Sequence, residues 1–207
     1  MAVPLLSAFY FGSVEHYRLL ARHERVVIDT GEHYERQSYR TRTSIVGANG
    51  RHDLTVQIER RSGEKMPMRT AGLSYVETWP QQHLHAIRSA YGQTPWAIHY
   101  LDEIEAVVLP HYDRLIDLDL ATMRLGLKWL GLRTVVEVSE AYVERSAAAD
   151  LLDLRNTFHP KKALPEGVIS VQPYPQVFSD RHGPLARMSV IDLVCNCGPE
   201  ALRYLNA

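Results

Sequence analysis

The chain has few cysteines, no long hydrophobic run and no signal peptide pattern. Cys195 and Cys197 are the two cysteines among 207 residues, and one residue separates them. A disulfide between such close neighbours would be strained, so we expect no disulfide framework and predict a cytoplasmic protein. The N-terminus lacks a positively charged segment before its short apolar run. Charged side chains interrupt the hydrophobic stretch 115–132, so no membrane span is predicted.

The chain also lacks a basic tail and a metal-binding motif. Its formal net charge is −1, and because nucleic-acid binding requires clustered positive charge, no nucleic-acid partner is expected. Local basic patches stay compatible with this composition. His83 and His85 lie in a helical pattern in which their side chains diverge, and the two cysteines lack the further ligands that zinc needs. We therefore predict no metal site.

Length and hydrophobicity favour a single folded domain of residues 1–207. Hydrophobic residues make up 45% of the chain, which is ordinary for a globular protein. Residues 3–11 predict a buried strand, Ser13 can cap a helix over 14–23, and 26–28 predict a second strand. Such a β-α-β unit implies parallel strands. Because ligands bind at the carboxyl ends of strands in open sheets, Ser13 and Asp29 are expected near a site.

The remaining patterns predict an α/β fold: an open, mostly parallel, Rossmann-like sheet with a helical block near residues 79–131. Residues 37–46 have the spacing of a helix, although 37–42 could instead form an extended loop. The other predicted elements are a turn at 47–50, strands at 53–60, 73–76, 134–138 and 168–171, and short helices at 147–154, 189–194 and 199–205.

An arginine-rich stretch over residues 34–50 follows the apolar run that ends at Asp29. Arginine binds carboxylates and phosphates through two parallel hydrogen bonds and is always charged. If residues 37–42 are extended, Arg40 and Arg42 could clamp one phosphate. If they are helical, the two side chains diverge and one would pair with Asp29. The competing interpretation is a structural ion-pair network beside the sheet.

Three further features are candidates for the same site. His16 opens the first predicted helix, whose N-terminus favours an anion; the alternative is an aromatic core with His16 exposed. Tyr174 and Gln176 lie in a proline-rich segment that could fold over the site or pack only for stability. The turn that contains Lys161 is expected to be solvated, although its charge could reach an anionic ligand.

With these segments assigned, the chain resembles the WbqC-like family over nearly its full length. The stretches that carry the resemblance are Arg25-Val-Val-Ile-Asp29, Tyr34, Gln37-Ser-Tyr-Arg40, Arg42, Val46-Gly-Ala-Asn-Gly50, Leu54-Thr-Val56, Trp79, Ala90-Tyr91-Gly92, Thr94-Pro95, Tyr174-Pro-Gln176-Val-Phe178, Leu185, Ser189-Val-Ile-Asp-Leu193 and Gly198-Pro-Glu-Ala201. Arg36 and Thr41 depart from the family's usual Lys-Gln-Ser-Tyr-Arg-Asn-Arg. Cys195-Asn-Cys197 stands where members usually read Phe-Asn-Glu, so a cysteine mechanism is not expected.

The resemblance implies a bacterial biosynthetic transferase. Some family members are encoded among polysaccharide and O-antigen genes, and transfer of glycine to a sugar has been proposed for the family. We therefore expect transfer of an aminoacyl (glycyl) or acyl group, a small-molecule anionic substrate, and ATP or another nucleotide-activated donor as compatible cofactors. The alternative is a non-catalytic nucleotide- or anion-binding accessory protein. The oligomeric state is left open.

The hypothesis assigns roles to specific side chains. Asp29 or His16 would act as a general base or orienting group. The candidate substrate-binding residues are Ser13, Tyr34, Gln37, Tyr39, Arg40, Arg42, Asn49, Tyr174 and Gln176. A concave pocket that joins Asp29, Arg40, Arg42 and Gln176 would support an enzyme site, whereas finding these four residues on separate faces would refute a site built from them.

Overall fold

A computed structural model describes residues 2–59, 65–144, 150–164 and 171–206 of the chain. Its strands are β1 (Val3–Leu6), β2 (Arg25–Asp29), β3 (Arg42–Gly47), β4 (Gly50–Thr55), β5 (Val135–Ser139) and β6 (Leu151–Asp153). Its helices are α1 (Val14–Ala21), α2 (Trp79–Tyr91), α3 (Leu101–Val108), α4 (Leu115–Trp129), α5 (Ser179–His182), α6 (Val190–Cys197) and α7 (Ala201–Asn206).

A four-stranded parallel sheet lies at the centre, in the order β5-β2-β1-β6. β1, α1 and β2 form the predicted β-α-β unit, in which Leu5 pairs with Val27 and Leu6 with Ile28. The side chain of Ser13 accepts a hydrogen bond from the backbone of His16 and so begins α1, as predicted. The α/β fold class with a mostly parallel sheet is therefore confirmed.

The predicted helix over residues 37–46 is wrong. Residues 36–41 form turns, Gln37 has φ 56, and β3 and β4 then pair as an antiparallel hairpin. The β-branched residues Thr43, Ile45 and Val46 favour a strand, and Gly50, with φ 97, closes the turn. The decisive contacts are those with β4, because residues 43–46 are all buried and their spacing alone does not separate helix from strand.

Three other predicted elements differ from the structure, and a fourth lies almost entirely outside the described residues. The predicted strand at 53–60 forms only as β4, which begins at Gly50 and ends at Thr55, and the one at 73–76 is reduced to a bridge between Leu73 and Ile58. The predicted helix at 147–154 is wrong over Leu151–Asp153, which pairs with β1 as strand β6; its first residues lie outside the described part. The predicted strand at 168–171 also lies outside it, except for Val171.

The helical block forms as α2, α3 and α4, between the hairpin and β5. It shares one hydrophobic core with the sheet, to which Ile28, Trp79, Ile104 and Met123 all belong. The core faces of these helices are apolar because their hydrophobic residues recur at helical spacing. The one-domain organisation remains a prediction from length and composition.

Candidate functional site

Arg40 lies inside the protein, at the carboxyl edge of the parallel sheet. Only 1% of its surface is exposed. Its Nε donates to Oε1 of Glu32 at 3.0 Å, and one terminal nitrogen donates to Oε2 of Glu32 at 2.8 Å and to Oγ of Ser7 at 2.7 Å. Ser7 follows β1 and Glu32 lies just beyond β2. We call these three residues the Arg40 cluster; its bidentate geometry is typical of a strong, buried ion pair.

Asp29, at the end of β2, is also buried and fully engaged. Its Oδ1 accepts from the backbone of Gly31 and Glu32, and its Oδ2 accepts from the backbone of Val143 and from the guanidinium of Arg155. The ion-pair partner of Asp29 is therefore Arg155, whereas the sequence had suggested Arg40 or Arg42. Asp29 contacts the Arg40 cluster through the backbone N–H of Glu32, which donates to its Oδ1 at 3.1 Å.

His16 is buried, so the alternative that left it exposed is wrong. Its ring packs edge-on against Phe9, Tyr17 and Phe158, with ring centroids 4.9, 5.6 and 5.7 Å away. Neither ring nitrogen has a hydrogen-bond partner among the described residues. Burial lowers the pKa of His16 to about 3, so its imidazole is neutral at physiological pH.

Tyr174 and Gln176 belong to a separate network around Asp192 of α6. The hydroxyl of Tyr174 donates to Oδ2 of Asp192 at 2.6 Å and the amide of Gln176 to the same oxygen at 2.8 Å, while Tyr91 donates to Oδ1 at 2.7 Å. Burial raises the pKa of Asp192 and these hydrogen bonds oppose the rise. This network ties the proline-rich segment to α2 and α6, which is the packing role weighed above.

Two open cavities flank Arg42. The first, here the Tyr34 groove, has a volume of about 850 Å³ and brings together three predicted site residues. Its lining residues are His33, Tyr34, Arg36, Gln37, Thr41, Arg42, Thr55, Val56, Gln57, Ile58, Glu59, Lys65 and Met66. The lining mixes cations, amides and a tyrosine hydroxyl, which suits a polar ligand.

The second, here the basic cavity, has a volume of about 370 Å³. It is lined by Arg42, Arg51, Asp53, Pro160, Lys161, Ala186 and Arg187. Arg42 pairs with Asp53 at 3.1 Å, whereas none of the other three cations forms an ion pair with any residue that the structure describes. Positive charge therefore exceeds negative charge in this cavity.

Three of the four cations of the basic cavity are held by neutral acceptors. Lys161 donates to the amide oxygen of Gln37, and Arg51 donates to the carbonyl of Ala186 at 2.7 Å. Arg187 donates to the carbonyls of residues 159 and 162. Such contacts position a charged group without neutralising it.

Tyr39 and Asn49 are the last two predicted site residues. Tyr39 is buried against Phe9, and its hydroxyl has no hydrogen-bond partner in the described part of the chain. Burial raises the pKa of Tyr39, Glu15 adds to the rise, and Arg187 and Arg51 oppose it. Asn49 lines a different groove of about 840 Å³ between the hairpin and α2.

The structure thus brings some predicted residues together and separates others. Tyr34, Gln37 and Arg42 share the Tyr34 groove, whereas Asp29 and Arg40 are buried and line neither this groove nor the basic cavity, and Gln176 belongs to the Asp192 network. Sequence reasoning missed three arginines: Arg51, Arg155 and Arg187. Arg51 and Arg187 contact residues far away along the chain, and no local pattern marks them. Arg155 has one partner nearby, Asp153, but its other partner, Asp29, lies 126 residues away. Lys161 had one signal, the basic turn noted above.

Within residues 2–59, 65–144, 150–164 and 171–206, no group of three or more His, Cys, Asp or Glu side chains could hold a metal ion. No helix in this part of the chain is long and apolar enough to cross a membrane. Comparisons with curated proteins and with solved structures find no match. The family comparison matches residues 8–167, which include Asp29, Glu32, Arg40 and the hairpin. The chain therefore belongs to the WbqC-like protein family.

Proposed function

We propose that the protein is a bacterial biosynthetic transferase that moves an acyl or aminoacyl (glycyl) group in the assembly of O-antigen, other polysaccharides or related metabolites. The observation that carries the proposal is the basic cavity, where four cations and one carboxylate surround an open space beside the Tyr34 groove. Membership of the WbqC-like family supports the biosynthetic setting. The substrate would be a small anionic molecule.

Arg42 has the central role in this proposal because it lines both cavities. A phosphate or carboxylate in the basic cavity would leave the rest of the molecule free to extend into the Tyr34 groove. There the hydroxyl of Tyr34 and the amide of Gln37 would hydrogen-bond a polar group. Holding two reactants in adjacent cavities lowers the entropic cost of their encounter, which is a large part of transferase catalysis.

Asp29 and Arg40 would support the site without touching substrate. Both oxygens of Asp29 already accept hydrogen bonds, so the residue orients the turn that carries Glu32. Glu32 in turn holds Arg40 and the backbone that leads to Arg42. His16 is enclosed by aromatic rings and would help to shape the wall behind Tyr39.

The second candidate function is a non-catalytic nucleotide- or anion-binding accessory protein. It is favoured by the burial of Asp29 and His16, which leaves both proposed proton-transfer groups out of contact with solvent. The two functions share the anion site and differ in whether a product forms.

The test is a ligand screen followed by product detection. Thermal shifts with nucleotides, sugar nucleotides and amino acids identify the ligands that stabilise the protein, and mass spectrometry then follows mixtures of them. We expect product with the wild-type protein and none with Arg42→Ala. Arg88→Ala is the matched control, because Arg88 forms an exposed ion pair on α2. Product from Arg42→Ala at the wild-type rate would refute the site. Binding that depends on Arg42, without product from any mixture, would favour the accessory protein.

A further inference from the structure

We infer that the basic cavity is a diphosphate subsite, in which Arg42, Arg51, Lys161 and Arg187 bind two adjacent phosphate groups of a small molecule and the hydroxyl of Tyr39 donates a hydrogen bond to them. This inference deepens the proposed function and rests on it. It narrows the anion from any carboxylate or phosphate to one chemical group. The group could belong to a nucleoside diphosphate or to another diphosphate ester.

The charge of the cavity exceeds what a carboxylate ligand would need. A single arginine can bind a carboxylate through two parallel hydrogen bonds, yet four cations line this cavity. A phosphate monoester carries roughly −1.5 to −2 at neutral pH, and a second, linked phosphate adds further negative charge. A diphosphate therefore matches three uncompensated cations better than one carboxylate does. Two carboxylates oppose the ligand: Asp53, which is paired with Arg42, and Glu15, which accepts from the backbone of Arg187.

The cations have hydrogen-bonding capacity to spare. Nε of Arg42 is buried and has no partner among the described residues. Arg51 has five N–H donors. The carbonyl of Ala186 accepts from one nitrogen, and the hydroxyl of Ser44 lies at 3.4 Å from another. Guanidinium groups that are fixed by neutral contacts are preorganised for a polyanion, because little side-chain entropy is lost on binding.

Tyr39 provides an independent observation. Its side chain is 3% exposed, and its hydroxyl meets no group at full hydrogen-bonding geometry in the described part of the chain, although Arg187 lies near enough to act on it as a donor. A guanidinium has no acceptor, so the O–H of Tyr39 keeps its proton free for an anion. Arg187 and Arg51 lie close enough to lower its pKa against the effect of burial. The hydroxyl is therefore within the field of the two arginines that would hold the anion.

Backbone strain marks the same cavity. Gln37 has φ 56 and Arg187 has φ 61, in the left-handed region that non-glycine residues avoid. Arg187 lines the cavity, and Gln37 holds Lys161 in it. Strain of this kind persists where surrounding contacts enforce it and is concentrated at ligand sites. One strained residue, Arg187, is itself one of the four cations, and the other, Gln37, holds a second cation, Lys161, in place.

Isothermal titration calorimetry of the full chain with inorganic pyrophosphate, orthophosphate and acetate tests the inference. We expect pyrophosphate to bind at least tenfold more tightly than orthophosphate, acetate not to bind detectably, and the affinity to fall as salt rises. Titrations with a nucleoside diphosphate and with a prenyl diphosphate then show which kind of molecule carries the group. Equal affinity for pyrophosphate, orthophosphate and acetate would overturn the inference.

Variants locate the binding. Lys161→Ala and Arg51→Gln should each weaken pyrophosphate binding about tenfold, which corresponds to about 1.4 kcal/mol, and Tyr39→Phe should weaken it less. Lys128→Ala, which removes an exposed lysine paired with Glu103 on the helical block, is the matched control and should bind as the wild type does. Unchanged affinity in both cation variants would place the ligand elsewhere and reject the inference.

The outcomes also separate the two proposals. If pyrophosphate does not bind but product formation still depends on Arg42, the diphosphate inference fails and the transferase stands. If pyrophosphate binds at Lys161 but no mixture gives a product that Arg42→Ala abolishes, the subsite stands and the transferase proposal fails.

Discussion

Arg40 and Arg42 stand two residues apart in the sequence but occupy opposite environments. Arg40 is 1% exposed and bonded to Glu32 and Ser7. Arg42 begins the hairpin, and its side chain is 21% exposed between two open cavities. Arg40 is bonded inside the protein and stabilises the fold, whereas Arg42 lines open cavities and can contact a ligand. Residue type and sequence neighbourhood therefore do not separate the buried arginine from the one that we propose binds the substrate.

Desolvation explains the difference. Burying a charge costs several kcal/mol unless a partner and hydrogen bonds compensate it. Glu32, Ser7 and, at 3.5 Å, Glu35 supply that compensation for Arg40. The basic cavity is open to water, which screens its unpaired cations at little cost. The following predictions test this contrast, beginning with the largest expected effect.

Arg40→Met should lower the free energy of unfolding by about 3–5 kcal/mol, because Glu32 would be left as an unpaired buried charge. Urea denaturation followed by circular dichroism measures it. Arg36→Met is the control, since Arg36 is exposed and should shift stability by less than about 0.5 kcal/mol. Equal effects of the two substitutions would show that the Arg40 cluster does not stabilise the fold.

The Asp29–Arg155 pair should show strong coupling. In a double-mutant cycle of Asp29→Asn and Arg155→Met, we expect a coupling energy of about 1–3 kcal/mol in unfolding experiments, because the two side chains share a buried ion pair. The exposed pair of Arg25 and Glu137 is the reference cycle, with an expected coupling below about 1 kcal/mol. Additive effects at Asp29 and Arg155 would contradict the network described for β2.

His16 should make stability depend on pH. Its folded-state pKa is about 3 because of burial, whereas an unfolded histidine titrates near about 6.5. Between these values the unfolded chain binds a proton that the folded chain does not. Stability from this residue is therefore fully present above about pH 6.5 and falls by up to about 1.4 kcal/mol per pH unit as the pH drops toward about 3.

Denaturation curves from pH 7 to pH 4 measure this slope. His16→Leu should reduce it, while His83, whose pKa burial lowers to about 4, retains part of it. His111→Leu, at an exposed position, is the control and should leave the slope almost unchanged. An identical slope in wild type and His16→Leu would mean that His16 becomes protonated in the folded state.

The smallest effect is expected in the basic cavity. Lys161→Ala should change the free energy of unfolding by less than about 0.5 kcal/mol, because Lys161 is exposed and has only a neutral partner. Urea denaturation at low and high salt measures it. A loss as large as that of Arg40→Met would show that the cavity is a structural element rather than a ligand site.

The β-α-β unit was predictable from the sequence because its signals are local. Apolar runs, the Ser13 cap and the short spacing between the strands act over a few residues, and together they gave the parallel pairing of β1 with β2. The hairpin was not predictable in the same way. Its residues 43–46 are buried on both sides, so their hydrophobicity lacks the alternation that marks a half-buried strand. Pairing with β4 decided the outcome.

The sequence by itself determined the α/β class, the likeness to the WbqC-like family and the stretch in which Arg42 lies. Only the tertiary structure decided which arginine is buried, that Arg155 holds Asp29, and that Lys161 and Arg187 join Arg42 and Arg51. The physical reason is that Arg155 and Lys161 meet Asp29 and Gln37, which lie more than a hundred residues away along the chain. A local pattern carries the propensity of its own backbone, but not the identity of such distant neighbours.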